Sequence, residues 1–244
     1  MKKNLFIAGC ARSGTSALVQ LLSGSEDIVL GMERYGHLVK KNDFKLTKEH
    51  FVKERFFDLR EEDTFYSDFF AFHRFSPNIE AKFDSCKWVG DKRPDLYEVY
   101  DELFEAFPES KVIFIYRDIV EVASSYQERV KDGKNWPASK DFMAAVREWN
   151  RSLYLTREAI AKGYDINVVE YSSIFNSKKD LNPLFEILNI DIDKNLERHI
   201  ANIRGRATQL VEERKMSLSE SELDYISKNS KSFLIDNIVE KKVL

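Results

Sequence analysis

Cysteine is nearly absent: Cys10 and Cys86 are the only two in 244 residues. Two thiols so far apart make no disulfide framework, and no Cys/His cluster has the spacing of a zinc site. Both are expected to be reduced, ordinary side chains, and no metal is expected. No run approaches the ~20 apolar residues that a membrane helix requires. No signal-peptide pattern precedes the first apolar run, "LFIA". The expected location is the cytoplasm, with no membrane span. Nine glycines and five prolines are too few for a low-complexity or disordered chain. A surplus of one charge is lacking as well: 38 Lys and Arg stand against 41 Asp and Glu. Nothing in that balance points to nucleic acid as a partner.

Aromatic residues are plentiful, with 18 Phe and 10 Tyr, enough for a sizeable core. Short apolar runs at 5–8, 28–31, 87–92, 111–118 and 165–171 read as strands, the fourth ("KVIFIYRD") buried on both faces. Helical patterns follow them, notably from Thr15, after Pro94, after Asp118 and over 140–163. Residues 35–80 read as mixed and mainly helical, and the chain beyond about 178 as mostly helical. Strands alternating with helices predict an α/β fold with a central parallel sheet flanked by helices. No repeat or linker divides the chain, so a single domain over 1–244 is expected. Ligands in such sheets bind at the carboxyl ends of the strands. Four motifs fall at those ends: "GCARSGTS", "GDKRP", "YRD" and "EY".

The first motif has the frame of a phosphate-binding P-loop, with Gly9, Gly14 and Ser16 in place, but Thr15 stands where the lysine belongs. Backbone N–H groups of a Gly-rich turn at a helix N-terminus make an anion site. Ser13, Thr15 and Ser16 add hydroxyls, and Arg12 can fork onto a phosphate oxygen. In the second motif, "YRDIVEVASSYQER", Arg117 ends a strand, Ser125 lies eight residues on, and Arg129 four beyond that on the same helix face. These residues suit a second phosphate pocket; an Arg117–Asp118 surface pair and a packing role for Ser125 are the alternative.

Together the "RSGT" loop and the "RD…S" motif resemble the sulfotransferases that use 3′-phosphoadenosine 5′-phosphosulfate (PAPS). The resemblance runs over about residues 4–190 and is nearest to tyrosylprotein and family-3 type bacterial sulfotransferases. It implies the P-loop-like sulfotransferase fold, PAPS as co-substrate and adenosine 3′,5′-bisphosphate (PAP) as product. By motif position, Arg12, Ser13, Gly14, Thr15 and Ser16 would hold the 5′-phosphosulfate. Arg117, Ser125 and Arg129 would hold the 3′-phosphate, and Tyr171 in "EYSSIF" would lie beside the nucleotide. Glu33 in "LGMERYG" aligns with the catalytic glutamate of the tyrosylprotein enzymes, and Lys92 in "GDKRP" with a lysine that contacts the bridging oxygen. His37 is a fallback base, because another branch of the family uses histidine. Arg204, Arg206 or Lys215 could close over the nucleotide.

Nine aromatic residues between Phe51 and Phe75 fall where the family places its acceptor-binding insert. At helical spacing such residues also make core. A small molecule, a glycan or a peptide, sulfated on a hydroxyl or amine, is the expected acceptor. Two rival functions stand beside this one. A P-loop kinase or nucleotide triphosphatase would need the missing lysine. A non-catalytic nucleotide-binding relative would not need Glu33 and Lys92.

Overall fold

Each apolar run becomes a strand. The computed structural model describes residues 2–63, 79–133, 136–176, 179–212, 218–238 and 241–244. Strands β1 (Lys3–Ala8), β2 (Ile28–Met32), β3 (Trp88–Lys92), β4 (Lys111–Tyr116) and β5 (Ile166–Glu170) form one sheet in the order β2-β3-β1-β4-β5. Every pairing in it is parallel. All five carboxyl ends therefore open on the same side.

Side chains alternate between the two faces of a strand, and here that alternation sorts the apolar residues into two cores. Phe6, Val112 and Phe114 face one core, with Val122, Tyr126, Trp149 and Leu153. Leu5, Ile7, Ile113 and Ile115 face the other, with Leu18, Leu22, Ile200 and Ile203. The first core is covered by helices α3 (Ile119–Asp132) and α4 (Phe142–Ala161), together with α2 (Tyr100–Ala106). The second is covered by α1 (Thr15–Leu22), α5 (Tyr171–Phe175) and α6 (Lys194–Glu212). The result is a single-domain α/β fold with helices on both faces of a five-stranded parallel sheet.

Three segments differ from the sequence reading. The chain after Pro94 begins as a 3₁₀ turn, Pro94–Val99, that is non-helical at Asp95, and only then enters α2. Residues 36–57 carry two 3₁₀ turns and one short helix, Lys53–Phe57, so this part of the mixed stretch is less helical than expected. The densest part of the aromatic stretch, "FYSDFFAFHRF", lies outside the described residues. Beyond 178 the chain is largely helical, as expected, but its last residues run along β5. Val243 N–H donates to Val168 O at 2.8 Å, and Glu170 N–H to Leu244 O at 3.1 Å. Among the described residues no helix is long and apolar enough to cross a membrane, and no cluster of His, Cys, Asp and Glu could hold a metal ion.

Candidate active site

The loop after β1 turns sharply into α1. Gly14 caps α1 with φ +97°, and the cap makes no side-chain hydrogen bond to the helix's first N–H groups among the described residues. That end is thus an uncapped array of donors. A Cβ on Gly14 would lie 2.4 Å from the Tyr171 ring, so glycine is required both by the backbone conformation and by the close approach of Tyr171. Ser13 is fully buried, and its Oγ has no hydrogen-bond partner among the described residues. A buried polar atom left unpaired calls for an explanation; here it sits in the turn that the sequence marks as an anion site.

The loops after β1 and β3 continue the strand pairing. Arg93 N–H donates to Ile7 O at 3.0 Å, and Gly9 N–H to Pro94 O at 3.1 Å. This brings "GDKRP" against the first loop. β2 ends in register with β3, Met32 opposite Lys92. Glu33, the next residue, turns back: its N–H donates to Lys92 O at 2.9 Å, and its Oε1 lies 2.5 Å from Lys92 Nζ. The Lys92 side chain is 3% exposed and that of Glu33 35% exposed, so the pair has one buried and one accessible member.

Among the described residues, four non-glycine residues have φ in the left-handed region: Arg12, Glu33, Asn42 and Asn189. Asparagine tolerates that conformation; arginine and glutamate do not favour it. The two costly cases are thus two residues that the sequence singled out, and strained backbone of this kind concentrates at functional sites.

The second motif sits beside the first. Ser125 is buried on α3 and accepts from Arg12 Nε at 2.9 Å, which ties together motifs 113 residues apart in the chain. Arg117 is buried, with its Nε on Glu121 Oε2 at 2.6 Å and its guanidinium 4.1 Å from the centroid of the Tyr171 ring. Among the described residues its terminal nitrogens donate no hydrogen bond. The surface-pair alternative fails, because Asp118 instead caps α3, accepting from the N–H groups of Val120 and Glu121. Arg129 lies one turn beyond Ser125, half-buried.

A cavity of about 290 Å³ opens at these strand ends. Arg12, Thr15, Ser16, Glu33 and Lys92 line it, and Tyr97, Trp136, Lys140 and Glu148 are also in the wall. His37 does not line it, and its Nδ1 is buried without a partner among the described residues. Arg204 is engaged elsewhere: it donates to Ile174 O at 2.6 Å and Lys179 O at 2.9 Å, bracing the end of α5. Arg206 is exposed on α6, and Lys215 lies outside the described residues.

The family model of the sulfotransferases matches residues 4–181. The chain belongs to the sulfotransferase family. It is accordingly an enzyme of the sulfuryl-transfer class, and the kinase reading is not favoured. Solved sulfotransferases share its fold at low sequence identity. The sulfotransferase domain from the curacin biosynthetic pathway has a TM-score of 0.55 and 16% identity, over 93% of this chain and 97% of that one. The corresponding domain of the Synechococcus PCC 7002 olefin synthase gives 0.53 and 15%, over 93% and 95%. A mouse sulfotransferase complexed with PAP gives 0.51 and 12%, over 99% and 85%. A search of curated proteins finds no match to the sequence.

Several residues that organise this sulfotransferase site have no role that the motifs imply. Asp91 is buried; its Oδ1 accepts from Lys92 N–H at 2.9 Å and its Oδ2 from Tyr35 N–H at 3.4 Å. It thereby holds both ends of the turn that presents Glu33. Burial pushes the Asp91 carboxyl up to about 6. Arg93 pairs with Asp95 and donates to Gly36 O at 2.6 Å. Arg34 and Arg55 both pair with the buried Asp63 and lie 5.1 Å from the Tyr35 ring centroid. Only the alternation of charge and aromatics in "MERYG" and "KERFFDLREED" hinted at such a network. Cys10 hydrogen-bonds weakly to Tyr126 Oη, and burial pushes its thiol up to about 12, consistent with an unreactive side chain.

Proposed function

We propose that this sulfotransferase uses PAPS as donor and an acceptor hydroxyl or amine as nucleophile, with Glu33 as general base and Lys92 as the charge that offsets the leaving group. The observation that carries the reading is the Glu33–Lys92 pair beside the first loop, with Arg12 of that loop bonded to Ser125 of the second motif. The residues present fit the donor. The orphaned Ser13 Oγ and the uncapped α1 terminus offer donors for an anion. Arg12, Ser13, Gly14, Thr15 and Ser16 would hold the 5′-phosphosulfate; Arg117, Ser125 and Arg129 would hold the 3′-phosphate, with Tyr171 beside the nucleotide.

PAPS supplies the activated sulfuryl group and departs as PAP. Glu33, the exposed member of the pair, takes the acceptor's proton, which a positioned carboxylate does efficiently. Lys92, buried and held by its neighbours, places an ammonium where negative charge grows on the departing phosphate. Preorganised charge of this kind is often the largest catalytic contribution. The glutamate and the lysine are each other's counter-ion at rest, so neither charge is left uncompensated. The cytoplasm remains the location this reading assumes.

Glu33→Gln tests it. Transfer of labelled sulfate from PAPS should fall by ~10²–10⁴-fold, the range for loss of a general base, with PAP affinity close to that of the wild type. Wild-type turnover in the variant would remove Glu33 from the reaction.

A further inference from the structure

The cavity walls carry more than the donor requires. Arg12, Thr15, Ser16 and Lys92 belong to the donor end, and Glu33 to the acceptor's proton. Asp95 is occupied by Arg93, at 2.6 and 3.0 Å. Beside the apolar Ala11 and Pro94, what is left of the lining is Lys140, Glu148 and the rings of Trp136 and Tyr97.

These residues are held in place by contacts of their own. Glu148 accepts from Tyr126 Oη at 2.6 Å. Lys140 Nζ lies 3.3 Å from Glu148 Oε1 and 5.7 Å from the Trp136 ring centroid. Trp136 donates its indole N–H to Lys140 O at 2.8 Å. Its donor is therefore used, and it offers a ligand only apolar ring surface. Tyr126 packs edge-on against Trp136 at 5.1 Å. Lys140 and Glu148 are both partly exposed, so each keeps hydrogen-bonding capacity toward the cavity.

Resting on the sulfotransferase reading of this site, we infer that Trp136, Lys140 and Glu148 form the acceptor-selecting wall, and that the acceptor is a neutral polyhydroxylated ring such as a pyranoside. The argument is one of charge and of surface. An anionic acceptor would face Glu33 and Glu148; a cationic one would face Lys92 and Lys140. A hydrocarbon acceptor would bury the Lys140–Glu148 pair without replacing its water, which is costly. A neutral polyol suits all of these groups. Its hydroxyls accept from the ammonium and donate to the carboxylate, while the apolar ring face lies against indole and phenol.

The test uses the full chain with labelled PAPS. Methyl glucopyranoside and methyl galactopyranoside are the neutral probes. Glucuronate, glucosamine, p-nitrophenol and decanol are the anionic, cationic, phenolic and hydrocarbon comparators. PAP binding is measured alongside by calorimetry. A neutral pyranoside should be the best acceptor. Lys140→Ala and Glu148→Gln should each raise its KM about tenfold or more, the loss of one or two charge-assisted hydrogen bonds. PAP affinity should stay within about threefold of the wild type, as expected away from a binding contact. Normal PAP binding with transfer to none of the pyranosides, or with a comparator preferred, overturns the inference and leaves the donor site standing. An unchanged pyranoside KM in both variants also overturns it. Failure of PAP to bind the wild type overturns the functional reading itself, and this inference with it.

Discussion

Lys92 and Glu33 are joined twice: Nζ to Oε1 at 2.5 Å, and Glu33 N–H to Lys92 O at 2.9 Å. The backbone bond sets the turn, and the turn sets the side chains face to face. Lys92→Met keeps the apolar stem and removes the charge. Turnover should fall ~10²–10³-fold, the scale for losing one preorganised electrostatic group, while PAP binding weakens far less. Single-turnover sulfate transfer with parallel calorimetry separates the two. An equal loss in both would make Lys92 a binding residue only.

Arg117 should dominate the second phosphate pocket. It is buried, and its guanidinium lies over Tyr171. Arg117→Ala should weaken PAP binding by ~2–4 kcal/mol, as truncation of one partner of a buried charge pair does. A change below ~0.5 kcal/mol, the range of ordinary surface substitutions, would take Arg117 out of the site. Ser125→Ala should cost about 1 kcal/mol, through the loss of its bond to Arg12 as well as of any bond to phosphate.

Gly14 and Tyr171 are packed so closely that they should be energetically coupled. Gly14→Ala places a methyl 2.4 Å from the Tyr171 ring at a backbone φ of +97°. The strain of the backbone alone is about 1–3 kcal/mol. Tyr171→Ala in the same chain should relieve the clash but not the backbone strain. A double-mutant cycle on thermal or urea unfolding should therefore give a coupling of ~0.5–3 kcal/mol. Additive effects would contradict the packing described.

Asp91 makes stability depend on pH. Its folded carboxyl titrates at about 6 because it is buried, against about 3.9 for an ordinary aspartate. A raised folded value means that its stabilising contribution is complete below about pH 4 and lost as pH rises through about 6. The two-unit difference corresponds to about 3 kcal/mol. Asp91→Asn cannot ionise and should escape that loss. Its unfolding free energy, relative to the wild type, should shift in its favour by up to this amount between pH 4 and 7. Urea titrations across that range measure the shift, and a constant difference would refute it.

The sheet was legible because its signal is local. "LFIA" and "KVIFIY" are unbroken apolar runs, and buried parallel strands demand such runs. The strand-end motifs were legible because the anion site is built from glycines, hydroxyls and arginine in fixed order. The turn at Glu33 was not. Nothing in the residue type announces a left-handed glutamate, since the conformation is imposed by the pairing of β2 with β3 and by the Asp91 carboxylate. The Arg12–Ser125 bond spans 113 residues and exists only once the parallel order is set. Arg93 has a partner, Gly36 O, 57 residues away in the chain, which only the folded loops bring to it. Trp136 precedes the helical pattern at 140–163, Lys140 and Glu148 fall within it, and none of the three belongs to a motif, so only the folded chain brings them to Glu33 and Lys92.

The most direct test of donor use is calorimetry of the full chain with PAP and with ATP, each with and without Mg²⁺. PAP should bind without Mg²⁺, and ATP weakly under either condition. Tight Mg²⁺-dependent ATP binding with no response to PAP would contradict the account.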